Sequence, residues 1–219
     1  MPAQERLILH IPLKKLLIGL ALTVCPICIL GLYSLSQSHR SLQRTVGNQF
    51  KTMADNVAAA TSQFINDRVI QVGAIAALPE IAEAAAAGNR SHEGQSEEAL
   101  KAKFDRMEKL WNTPGGEALV NQILSNKASR LLRRQRELDP RLLRITVTDA
   151  KGAVVAASHK TLDYYQADEE YWNNIYAQGR GAVSVTDILF DEATHSNYIG
   201  VGVPVMEEGT SRLIGTLDA

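Results

Sequence analysis

Apolar and polar positions follow three rhythms along the chain, and each rhythm predicts a different element. Leu16–Tyr33 (LLIGLALTVCPICILGLY) is almost uninterrupted apolar sequence, and Leu16–His39 holds no Asp, Glu, Lys or Arg. An apolar run of about 18 residues is long enough to cross a bilayer. Pro26 is tolerated in a membrane helix, and Tyr33 stands where an interfacial aromatic anchor belongs. A cleaved secretory signal would need a shorter apolar core, about 7–15 residues, and a better cleavage site than Ser34-Leu35-Ser36. The pattern therefore predicts a tail over 1–15 and a transmembrane helix over 16–36. Arg6, Lys14 and Lys15 before the span balance Arg40, Arg44 and Lys51 after it. The lysine pair abuts the span directly, which places the tail inside the cell and residues from about 37 onward outside.

The second rhythm is helical and fills 37–140. Val46, Phe50, Met53, Val57, Ala60 and Phe64 are spaced alternately by four and three, a heptad stripe on one helix face. It drifts through Val69, Val72 and Ala76, as a straight helix packing onto a domain requires. The stripe predicts a long rod, open to pairing with a second copy of the chain or to covering its own domain. Pro79 interrupts it, and Gly88 after Ala84–Ala87 is the expected C-cap. A polar loop over 89–98 contains the glycosylation triplet Asn89-Arg90-Ser91. A helix is then predicted over Glu97–Trp111, a turn at Thr113–Gly116, and another helix from Glu117 to about Glu137. Arg130, Arg133, Arg134 and Arg136 crowd the end of the last helix, where cations suit the dipole.

After Pro140 the period shortens to two. Leu143, Ile145 and Val147 alternate with Arg144, Thr146 and Thr148, and Asp149–Gly152 turns the chain into a second strand over Ala153–Ser158. A loop over 159–166 leads to a short helix around Asp168–Gln178 with Asp168 as the expected N-cap, stopped by Gly179-Arg180-Gly181. Strands are expected over Ala182–Phe190, Asn197–Met206 and Arg212–Asp218, joined by short polar connections. The fold class is α+β: a transmembrane helix, a long helical rod, and over 141–219 a five-stranded antiparallel sheet with flanking helices.

Composition changes this picture little. The 219 residues carry 23 Lys plus Arg against 24 Asp plus Glu, and this near-neutral balance excludes a dedicated nucleic-acid binder. Cys25 and Cys28 both lie in the span as C-P-I-C, away from any βαβ pattern a redox motif would need. No cofactor motif is present. Asp191, Glu192 and His195 make a weak metal trio in a hairpin turn, and no metal site is assigned.

The candidate chemistry lies in the last third. Tyr164, Tyr165, Tyr171 and Trp172 crowd four aromatics into an aromatic-poor chain, which suits a pocket that stacks and donates hydrogen bonds. Trp172 could equally plug the short helix onto the sheet. Asp187 shares a strand face with Val183, Val185 and Leu189, where an acid is costly to bury unless paired. A cationic ligand, Arg144 or backbone donors would each serve. Gly200 and Gly202 share a face on the next strand, leaving room for a ligand or for close helix approach.

An anchor, a long helix and such a sheet resemble the Cache-type, PAS-like extracytoplasmic sensor modules of bacterial transmembrane receptors. VTDAKGAVVAAS is similar to that family's first hairpin, DYYQADEEYWNNIYAQGRG to its loop and helix, TDILFDEATHSNYIGVGVPV to its strand pair, and RLIGTLDA to its closing strand. The resemblance covers roughly residues 40–219. It implies a small ligand held between the sheet and the loop-plus-helix, with Tyr171 and Trp172 matching the family's aromatic pair and Asp218 its last-strand Asp. In the subset that binds free amino acids an Arg precedes the aromatic pair. Here Glu169 or Glu170 stands there and would repel a carboxylate.

The resemblance implies small-ligand sensing in a bacterial inner membrane by part of a histidine kinase, chemoreceptor or diguanylate cyclase. The signal would pass through the long helix, paired with a second copy. Since no output segment follows Ala219, the chain reads as a fragment of a longer receptor. The other reading is a stand-alone membrane-anchored ligand-binding or structural protein. No phosphate loop, nucleophile elbow or zinc-protease motif points to an enzyme.

Overall fold

The computed structural model describes residues 12–191 and 195–219. Arg6, His10 and Glu192 lie outside the described residues. The chain divides into two compact units, 1–62 and 63–219.

The first helix, α1 (Leu13–Ala76), runs unbroken for 64 residues, so the expected span and the heptad stripe share one helix. Nothing in the sequence between them supplies a cap or a turn. Its apolar window has a mean hydropathy of 2.4 and no buried residue, and among the described residues it is the one helix long and apolar enough to cross a membrane. Pro26 sits inside it, and Thr23 Oγ1 donates back to the carbonyls of Gly19 and Leu20 at 3.1 and 3.0 Å. Up to Ser62 the helix buries no side chain, and the stripe residues Phe50, Met53 and Val57 are exposed.

In the second unit the end of α1 turns apolar side chains inward at Val72, Ile75 and Ala76. Pro79 opens α2 (Pro79–Arg90) at a position where its missing N–H costs nothing. This helix runs past Gly88, which is no cap. A Cβ there would stand 2.6 Å from Val155 Cγ1 and 2.9 Å from Asp149 Cβ, so the glycine lets α2 approach the sheet. Next comes α3 (Glu97–Trp111), capped by Ser96 Oγ, which accepts from the Ala99 N–H at 3.3 Å. A single 3-10 turn over Pro114–Gly116 leads into α4 (Glu117–Leu124) and then α5 (Lys127–Leu138). The single helix expected over 117–137 is broken by Asn126. Its Oδ1 caps α5 through the Ser129 N–H at 2.8 Å, and its Nδ2 donates to the Val155 carbonyl at 2.8 Å.

The strands are β1 (Thr146–Asp149), β2 (Val154–Ala157), β3 (Ser184–Val185), β4 (Leu189–Asp191), β5 (Ser196–Tyr198), β6 (Val201–Met206) and β7 (Leu213–Asp218), with α6 (Glu170–Tyr176) between β2 and β3. Five form an antiparallel sheet in the order β2-β1-β7-β6-β3, while β4 and β5 form a separate ribbon. The two strands expected over 182–190 and 197–206 thus each split. The split falls where the Thr186 N–H donates to the Gly200 carbonyl at 2.9 Å and Thr186 Oγ1 accepts from the Gly200 N–H at 2.7 Å. The side chain takes a ladder position that a backbone carbonyl would otherwise fill.

Register sorts the two sheet faces. Val147, Leu217 and Val203 stand opposite one another across β1, β7 and β6. That face packs on Val72, Ile75, Ile81, Ala85 and Leu132 as one apolar core. The helical region and the strands on either side of residue 140 therefore share a core from α1 onward. The opposite face is polar and small. Thr146, Asp218 and Gly202 are cross-strand neighbours, as are Thr148, Thr216 and Pro204.

Candidate functional site

The polar sheet face is covered by α6 and the loop before it. Trp172 Nε1 donates to Thr148 Oγ1 at 2.9 Å, and Thr148 and Thr216 share a hydroxyl hydrogen bond at 2.8 Å. Trp172 stacks on Tyr176 with ring centroids 4.5 Å apart. Ile175 sits over Gly202, where a Cβ would lie 2.2 Å from Ile175 Cδ1. Close helix approach is thus what Gly202 provides, and Trp172 and Ile175 are buried in that layer. The expected N-cap, Asp168, is displaced by one residue: Glu169 takes the position without a side-chain cap bond.

The four clustered aromatics do not converge. Tyr164 belongs to a second apolar cluster on the α3 side and meets Trp111 at 5.7 Å between centroids. Burial pushes its hydroxyl up to about 12. Tyr165 stacks on Phe104 at 5.0 Å. The backbone N–H groups of both tyrosines donate to Glu108 Oε2 at 2.9 and 2.8 Å, which pins the loop to α3. Tyr171 stands in the first turn of α6. Its hydroxyl donates to Gln166 Oε1, and burial, followed by the charge of Asp218, raises its pKa.

Asp187 also departs from expectation. The face it shares with Val183, Val185 and Leu189 is exposed. The strand ends at Val185, and β3 is the sheet's edge, so that alternation never meets a covering layer.

What the structure does bring together is Arg144, Gly200 and Asp218. They border a cavity of about 490 Å³, within the 300–1,000 Å³ usual for small-ligand pockets. Its apolar wall includes Phe64 and Val72 of α1, Leu142, Ile199 and Val201. Arg144 Nη2 donates to the Tyr198 hydroxyl at 3.1 Å, and the guanidinium lies 5.2 Å from that ring's centroid. A Cβ on Gly200 would stand 3.6 Å from Asp218 Oδ1. Burial pushes the Asp218 carboxyl up to about 7 against the opposing pull of Arg144. Among the described residues its carboxylate has no hydrogen-bond partner.

The other bordering arginines pair with Asp139, although Arg68 Nε is buried without a partner among the described residues. Arg68 Nη1 donates to Asp139 Oδ2 at 2.8 Å, and Arg141 Nε and Nη2 donate to Asp139 Oδ1 and Oδ2 at 2.7 and 3.0 Å. Arg141, then Gln71 and Arg68, hold the Asp139 carboxyl well below the usual carboxylate range. Sequence reading missed Phe64, Arg68 and Tyr198. Phe64 closes the heptad stripe and Arg68 lies one turn beyond it, so the end of the repeat was the available signal.

No protein-family model and no curated protein matches the chain. Among solved structures, it is similar to the sensor domain of the V. cholerae histidine kinase DctB, with 13% identity and a TM-score of 0.49 over 80% of this chain and 55% of that one. It is also similar to the sensory domain of the Campylobacter jejuni chemoreceptor Tlp3, with 14% identity and a TM-score of 0.35 over 72% of this chain and 61% of that one. A third is the ligand-binding domain of the Pseudomonas aeruginosa amino acid chemoreceptor PctC in complex with GABA, with 16% identity and a TM-score of 0.29 over 64% of this chain and 60% of that one.

Proposed function

We propose that the chain is the ligand-binding part of a Cache-type receptor anchored in a bacterial inner membrane, and that a small molecule is sensed in the cavity bordered by Arg144, Gly200 and Asp218. The supporting observation is Asp218: a carboxyl sunk beside Arg144 in a cavity wall, without a hydrogen-bond partner among the described residues. A carboxyl that lines a cavity and whose pKa its surroundings raise this far marks a candidate ligand-contact group. The α1 residues Phe64 and Val72 form part of the same wall, so a bound ligand would act on the helix that also carries the apolar span. A signal then requires the ligand to favour one of two arrangements of that helix. Its exposed stripe at Phe50, Met53 and Val57 offers a second copy of the chain an apolar seam.

The test is calorimetry of the full chain in lipid nanodiscs against a broad metabolite library. Saturable binding that an Arg144→Ala, Asp218→Ala double variant abolishes is expected. Silence across the library, or binding unaffected by the double variant, overturns the reading.

A further inference from the structure

The cavity's polar groups are unequal, and their inequality selects a ligand. Of the three arginines on its border, Arg68 and Arg141 share Asp139 as their ion-pair partner, and Arg68 Nε is buried without a hydrogen-bond partner among the described residues. Arg144 donates to the Tyr198 phenol and acts through space on Asp218, and among the described residues no carboxylate lies within ion-pair distance of it. Three guanidiniums thus stand against Asp139, Asp191 and Asp218, which leaves one net positive charge at the mouth when Asp218 is protonated, while Val72, Leu142 and Val201 behind it are buried and apolar. We infer that the cavity takes an amphiphilic carboxylate without an amino group, its head held by Arg144 and Tyr198 and its apolar body laid against Val72, Leu142 and Val201. The inference rests on the ligand-sensing reading above.

Geometry and charge both favour an acid head. A guanidinium and a hydroxyl 3.1 Å apart can donate side by side to the two oxygens of one carboxylate. Asp218, raised to about 7, is substantially protonated near neutral pH and offers an O–H rather than a fixed negative charge. An ammonium group would require Asp218 to ionise in surroundings that penalise its charge, and would stand near Arg144 as well. A zwitterionic ligand gains at one end and loses at the other. An uncharged amphiphile would offer the guanidinium no opposite charge.

The full chain in nanodiscs is titrated near neutral pH with hexanoate, hexanamide and hexylamine, three heads on one body. Hexanoate is expected to saturate at a dissociation constant about tenfold or more below that of hexanamide, as one charge-assisted pair provides. Hexylamine is expected not to bind. Arg144→Gln should bring hexanoate to the amide's level and leave the amide unchanged. Equal binding of acid and amide, tighter binding of the amine, or an Arg144→Gln variant that keeps the acid preference each overturns the inference. If none of the three binds while the metabolite library yields a ligand sensitive to the double variant, this inference falls and the sensing reading stands. If neither panel binds, both fall.

Discussion

At Asp218 a side chain's surroundings set a measurable dependence on pH. In an unfolded chain an Asp titrates near 3.9, whereas here burial pushes it to about 7. Between those values the native state binds more protons than the unfolded state, so stability falls as pH rises through the window and levels off above it. Across that window Asp218 should cost the full chain about 4 kcal/mol in thermal melts. Asp218→Asn should flatten it and stabilise the protein on the alkaline side, and an unchanged slope would remove Asp218 as its source. Gly88 gives a second expectation. Glycine to alanine inside a helix ordinarily gains about 1 kcal/mol. Here the new Cβ would meet the fixed Asp149 Cβ at 2.9 Å, so Gly88→Ala should destabilise by about 1–3 kcal/mol in denaturant melts. The same close packing explains Asn89. Its Nδ2 donates to the Ile214 carbonyl at 2.7 Å and its Oδ1 accepts from the Ala150 N–H at 3.0 Å, so the triplet asparagine is a structural tie and not an open acceptor.

At the scale of elements, the helices show what sequence pattern can and cannot carry. Glu97–Trp111 was legible to the residue because Ser96 caps it and its apolar positions keep one period. The break between α4 and α5 was not, since Asn126 is an ordinary helix surface residue until Val155 on β2 supplies its partner. The split of the long strands was hidden for the same reason: Thr186 replaces a backbone acceptor only once Gly200 lies opposite. The four aromatics read as one site because they are near in sequence. The loop instead hands Tyr164 and Tyr165 to α3 through Glu108 and leaves Tyr171 and Trp172 to the sheet. Arg144 and Asp218 were legible as chemistry but not as neighbours in one cavity. For α1, the stripe's exposure makes pairing testable. With Cys25 and Cys28 replaced by alanine, Met53→Cys should oxidise to a disulfide-linked dimer in membranes, whereas Asp55→Cys, on the opposite face, should do so several-fold less. Equal yields at both positions would sink the seam.

Across the whole molecule, the sheet joins two chemistries that sequence periodicity registers only as alternation. One face closes a dry core with α1, α2 and α5, and the other holds threonines, a glycine and Asp218 under α6. A tie between connections holds this arrangement. His92 Nε2 lies 2.8 Å from Asp149 Oδ2, and Lys103 Nζ lies 3.0 Å from His92 Nδ1. Because an ammonium can only donate, Nδ1 is the acceptor and Nε2 carries the proton to Asp149. The bend at Thr186 has a further outcome for the molecule in solution. A straight strand over 182–190 would present a long, apolar, unpaired edge, the template on which sheets from separate molecules join. With β3 pairing only at Ser184 and Val185 and the chain then diverted into the β4–β5 ribbon, that edge is cut to two residues. The threonine that splits the strand thereby also limits edge-to-edge aggregation.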